Sequence, residues 1–163
     1  MPPTPYIFST HDYNLADELI AALGKLSYTP AAEELFKLRG TEYDSQATYA
    51  LSQIAPERLA DALLTTAKDK QIDSYMREQA MVALCNISAT NRVRDLIPLL
   101  EDETAITYTK PVRGAEWRVC DRAAASIAIL LGWESRMAPM LFMRPGKQEE
   151  TLTRAREWAR AKQ

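Results

Sequence analysis

Ala47-Thr48-Tyr49-Ala50-Leu51-Ser52-Gln53-Ile54 sets out a spacing of small and branched apolar residues that returns as Ala80-Met81-Val82-Ala83-Leu84-Cys85-Asn86-Ile87. In both segments Ala, Ala, Leu and Ile stand at the first, fourth, fifth and eighth places, and the second copy lies 33 residues after the first, the distance between Ala47 and Ala80. Steps of three and four place such residues on one face of an α-helix, and a period of this length marks stacked helical hairpins. The frame therefore predicts architecture. By itself it specifies no chemistry.

Two weaker copies extend it. Leu19, Ala22, Leu23 and Leu26 fit the frame upstream, and Ala123, Ser126, Ile127 and Leu130 fit it downstream, at unequal intervals that imply loops of different length. Each copy is followed by a second stripe: Ala31, Leu35, Phe36 and Leu38; Leu59, Leu63, Leu64 and Ala67; Val93, Leu96, Ile97 and Leu100; Met137, Met140, Leu141 and Met143. The unit is helix, short turn, helix. The predicted fold is all-α, a right-handed α-solenoid of about four hairpins over 14–163, entered by an extended arm at 1–13 that carries Pro2, Pro3 and Pro5.

Local signals place the boundaries. Asp12 or Asn14 caps the first helix, Thr29 and Pro30 open its partner, and Gly40 ends that partner in a left-handed turn. Asp73 or Ser74 precedes the helix through Ile87, Asn91 caps the next, and Pro98 bends or shortens it. Pro145 and Gly146 end the fourth hairpin. A last helix over 148–161 buries Leu152, Ala155, Trp158 and Ala159 and caps the stack, which would otherwise leave an apolar face in water.

Composition restricts the function classes. The chain has 163 residues, 47% hydrophobic and 26% charged, enough for a core and unlike a disordered segment. Lys and Arg total 20 against 22 Asp and Glu, so a net charge of −2 provides no general attraction to nucleic acid or to an anionic membrane. No apolar run is long enough to span a bilayer, and the first ten residues lack the pattern of a secretory signal, so the chain as given reads as cytoplasmic. Cys85 and Cys120, sparse and set beside the small-residue stripes, read as core residues; a reactive thiol is the alternative at Cys120, which Arg118 and Arg122 flank.

Residues 75–87, with Arg77-x-x-Ala80 and Ala83-Leu84, residues 118–127, with Arg122-x-x-Ala125, and the Asp95-Leu96-Ile97-Pro98-Leu99-Leu100-Glu101-Asp102 segment after the first of them resemble HEAT repeats. The likeness is to the short HEAT-like variety of the phycobilisome lyases, within the wider armadillo-like class, and covers roughly 44–142. It implies a scaffold that binds a protein partner through the concave face of its second helices. On those helices Arg58, Asp61, Thr65, Arg92 and Asp95 flank the apolar stripes. Their mixed signs suit a polar protein surface rather than phosphate.

The second candidate surface is the loop 104–116, which breaks the helical pattern and offers Tyr108, Lys110 and Arg113, with Trp117 at its end. Loops of this length are often functional, and the alternative is a short β-hairpin near 104–118 packed over the third repeat. Enzymatic readings find little material. His11 is the only histidine, five scattered glycines form no phosphate cradle, and carboxylates such as Glu78, Glu116 and Asp121 read as surface ion pairs. The expectation is a non-enzymatic module with no cofactor, catalytic residue or metal. Resemblance to other HEAT-like proteins supplies two alternatives: a DNA-binding protein or alkylpurine DNA glycosylase, for which Trp117, Trp133 and Asp121 provide the residue types, and a bilin lyase or chromophore-binding protein.

Overall fold

A computed structural model describes residues 11–107, 116–134 and 145–162. Among them the chain is all-helical, with helix packed on helix and no strand. The α-helices are α1 (His11–Lys25), α2 (Ala32–Lys37), α3 (Asp44–Ile54), α4 (Pro56–Lys68), α5 (Ser74–Asn86), α6 (Val119–Leu130) and α7 (Pro145–Arg160). Two 3₁₀ segments join them, η1 (Thr29–Ala31) and η2 (Thr90–Glu101). The chain divides into two compact units, Met1–Leu59 and Ala60–Gln163, with the division inside α4.

In the first unit α1 and α2 both pack on α3. The seam of α3 is Ala47, Ala50 and Leu51, all fully buried, while Ile54, the last place of the repeat frame, is half-buried. Its mate on α1 is not the predicted stripe. Leu19 and Leu26 are 58% and 77% exposed, and the buried residues are Ile20 and Gly24. The cause is close approach: a Cβ on Gly24 would stand 2.8 Å from the Cα of Ala50, so only glycine lets the two backbones come so near. Helix α1 begins at His11, earlier than either predicted cap, while 1–10 lies outside the described residues. Pro30 opens the 3₁₀ turn before α2, and Gly40 takes a φ of +78°.

In the second unit α6 is the central element. Every residue from Val119 to Ala128, and Leu130, is buried, the pattern of a helix covered on all sides, here by α5, η2 and α7. The alanines at 123–125 and Ser126 let those neighbours close in. Gly132 ends α6 with a φ of +71°, and the Trp133 N–H donates back to the Ala128 carbonyl at 2.7 Å. Asp73 caps α5, its carboxylate accepting from the N–H groups of Tyr75 and Met76 at 2.9 and 3.4 Å.

Three boundary expectations change. The partner of α5 is a 3₁₀ run rather than a bent α-helix, and of its buried residues Val93, Leu96, Leu99 and Leu100 the first three recur every three positions, as a three-residue turn allows. Leu99 thereby replaces Ile97 in the core. Pro98, which has no N–H to donate, is accommodated inside the run. Asn91 lies within that run, Ala89 standing at its cap position. Pro145 opens α7 instead of breaking the chain, in keeping with its fixed φ at a first helical turn. The methionine stripe 137–143 lies outside the described residues.

Candidate functional site

Helix α4 turns Leu59, Leu63 and Ala67 inward, which leaves Asp61, Thr65 and Lys68 on its outer side one turn apart. From η2, Arg92 reaches across to them. Its Nη1 lies 2.6 Å from Asp61 Oδ1 and its Nε donates to Asp95 Oδ2 at 2.8 Å, while Lys68 Nζ stands 3.9 Å from Asp95 Oδ1. The result is a ladder of alternating sign, Asp61, Arg92, Asp95, Lys68, with net charge zero. The bonds to Asp95 and then Asp61 hold the Arg92 proton more tightly than usual. The Thr65 hydroxyl donates back to the Asp61 carbonyl at 2.9 Å. Exposed pairs of this kind add little stability, roughly 0–1 kcal/mol each, so the ladder matters chiefly as surface.

Arg58, one turn before Asp61 on α4, pairs with Glu33 at 2.8 Å and lies 4.8 Å from the centre of the Phe36 ring. The Arg58 hydrogen bond and charge draw the Glu33 carboxyl below the ordinary range.

The loop at 104–116 is clamped at its base. Ile106 N–H donates to the Trp117 carbonyl at 2.7 Å, Val119 N–H to Thr104 at 2.9 Å, and Cys120 N–H to Asp102 at 2.8 Å. Ala105 and Arg118 form an isolated antiparallel bridge, the only trace of the expected hairpin among the described residues. Alternation along these arms turns Ile106 and Trp117 inward and leaves Thr107 and Glu116 outside. Trp117 is 8% exposed, with the Arg122 guanidinium 4.4 Å from its ring centre, so it is a core residue and not the accessible contact that the sequence suggests. Tyr108, Lys110 and Arg113 lie outside the described residues.

Beneath this surface lies a set of buried charges that sequence reasoning missed. Arg77, at 1% exposure, donates through Nη2 to Asp102 Oδ2 at 2.6 Å and through Nε to the Ala67 carbonyl at 2.9 Å. Asp102 Oδ1 also accepts from the Thr104 hydroxyl at 2.6 Å and its N–H at 3.1 Å. Arg122 pairs with Glu78, and Asp121 accepts from the backbone N–H and the guanidinium of Arg118 at 3.0 Å. Glu78 and Asp121 are each 2% exposed, so they are interior partners rather than surface ions. The available signal was Arg77 itself, which lies three residues before Ala80 on the seam stripe.

Burial opposes ionisation of Asp102, but the bonds from Arg77 and Thr104, with the Arg77 charge, outweigh it and lower its pKa from 3.8 to about 2. The carboxylate thus supports the fold fully above the unfolded-state value, and that support fades as pH falls through about 2. Between pH 4 and pH 2 the unfolding free energy of the natural chain is expected to drop by about 2 kcal/mol more than that of Asp102→Asn. Parallel falls in the two, measured by urea titration across this range, would contradict the assignment.

Other chemistry is sparse. Cys85 and Cys120 are buried thiols, and burial, then the Asp121 charge, pushes Cys120 up and away from reactivity. Trp133 packs edge-on to Trp158 at 6.2 Å beneath Arg154, beside a cleft lined by Glu134, Lys147 and Thr151 with about 10 Å³ of space, roughly one water site. Trp133 follows the C-terminal end of α6 whereas Trp117 precedes its N-terminus, so the two do not share a pocket. Among the described residues no group of three His, Cys, Asp or Glu side chains is placed to hold a metal, and no helix is long and apolar enough to cross a membrane.

Compared with models of known families, with curated proteins and with solved structures, the chain has no match. The class is thus given by the helices alone: an all-α protein in which helix packs on helix.

Proposed function

We propose that this chain is a non-enzymatic HEAT-like module, a right-handed solenoid of about four hairpins, that holds a protein partner on the concave face of its second helices and on the loop 104–116. The observation that supports this most is the Asp61, Arg92 and Asp95 ladder, which joins side chains from two consecutive second helices into one exposed surface. Its charges cancel within the ladder. A phosphate-rich ligand gains little there, whereas a protein surface of mixed sign can exchange partners with it pair by pair.

Photo-crosslinking in the cell tests the reading. A photoreactive residue at Thr65 or at Arg94, beside the ladder, is expected to give a discrete protein adduct, and one at Gln79 on the exposed side of α5 is expected to give none. Equal labelling at the three positions, or no adduct at Thr65 and Arg94, would remove the proposal.

A further inference from the structure

On α1 and the residue just past its end, Leu15, Leu19, Ala22 and Leu26 are separated by four, three and four positions, the spacing of a coiled-coil seam. This stripe lies on the side away from α3, because Ile20 and Gly24 occupy the inward side. Leu15, Leu19 and Leu26 are 59%, 58% and 77% exposed, three large apolar side chains in one line. Scattered exposed leucines are ordinary, but an aligned set at seam spacing is a contact surface.

Charge identifies the occupant. Glu18 and Lys25 lie seven residues apart on the same flank of the stripe, and among the described residues neither has an ion-pair partner. If a second α1 lies antiparallel against the first, with Leu15 opposite Leu26, each Glu18 comes beside the partner's Lys25. Two symmetric ion pairs then flank the leucines, and the two helix dipoles oppose each other. A parallel arrangement would set Glu18 and Lys25 against the apolar opposite flank, Ala16 and Leu23. We propose that α1 mediates self-association of this chain through an antiparallel, two-fold symmetric pairing of the seam at Leu15, Leu19, Ala22 and Leu26. Such an interface is isologous and closes at two copies. It is smaller than the roughly 800 Å² per partner of a stable complex, so a dissociation constant on the order of 10–100 µM is expected.

Sedimentation equilibrium of the full chain at low salt, from about 5 to about 500 µM, reads this directly. The natural chain is expected to approach twice its monomer mass, and Leu19→Glu with Leu26→Glu to remain monomeric with an unchanged circular dichroism spectrum. Glu18→Lys sets like charges opposite each other and weakens association about tenfold, while Glu18→Lys combined with Lys25→Glu restores it. These two positions are exposed, so the charge variants test the register without touching the core. A monomer at every concentration overturns the proposal, as does association that the leucine changes leave intact. Failure of the double charge exchange to restore what Glu18→Lys weakens overturns the antiparallel register.

Discussion

Replacement of Arg77 by alanine is expected to cost about 3–5 kcal/mol of unfolding free energy, the range for removing one partner of a buried ion pair. The side chain is 1% exposed and serves two acceptors at once, the Asp102 carboxylate and the Ala67 carbonyl. Without it Asp102 keeps a charge in the interior with only Thr104 to solvate it. The damage also spreads through the backbone, because the Asp102 carbonyl accepts from Cys120 N–H at the start of α6. Against a typical stability of about 5–15 kcal/mol, such a loss leaves a marginal fold. Arg77→Lys retains the charge but cannot serve both acceptors with the same geometry, so it falls between. Chemical denaturation measures all three chains. A loss below about 1 kcal/mol for alanine would show that water reaches the pair.

The second large effect separates two leucines that look alike in the repeat frame. Leu51 is fully buried on α3, and its truncation to alanine is expected to cost about 2–5 kcal/mol through lost burial and the cavity left behind. Leu84, at 1% exposure on α5, behaves alike. Leu19, which the frame places beside them, is 58% exposed, and Leu19→Ala is expected to stay within about 0.5 kcal/mol in dilute solution. Urea unfolding of the three variants checks the contrast. Equal losses at Leu19 and Leu51 would mean that α1 faces its neighbour in the predicted register after all.

These cases show what the sequence made legible. Helices α3, α4 and α5 follow from apolar periodicity because their buried faces are made of residues that such a pattern registers. Helix α1 does not, since its closest contact is through Gly24, a residue without a side chain that an apolar stripe passes over. The 3₁₀ character of η2 was written in the three-residue steps of Val93, Leu96 and Leu99, but Ile97 offered an equally apolar α-helical alternative. On the candidate surface, Asp61 from α4 meets Arg92 and Asp95 from η2 in one set of ion pairs. Arg58 was placed with them and pairs with Glu33 instead, and Trp117, expected as a contact at the end of the loop, is buried. A long cation pairs with whatever carboxylate the fold brings near, here Glu33, and a tryptophan at a loop end turns toward the core when strand-like alternation directs it there. The buried pairs of Arg77 and Arg122 depend on Asp102 and Glu78, residues remote in sequence, and no local pattern announces such a pairing.

The central claim is that small-residue seams on the first helices hold the hairpins together. Native-state hydrogen exchange resolved to single amides tests it most directly. The account predicts the slowest exchange within Val119–Leu130, whose residues are buried almost without exception, followed by the inward amides of Ser74–Asn86, with η1 and the 38–43 turn exchanging fastest among the described segments. Exchange in Val119–Leu130 as rapid as in those turns would contradict it.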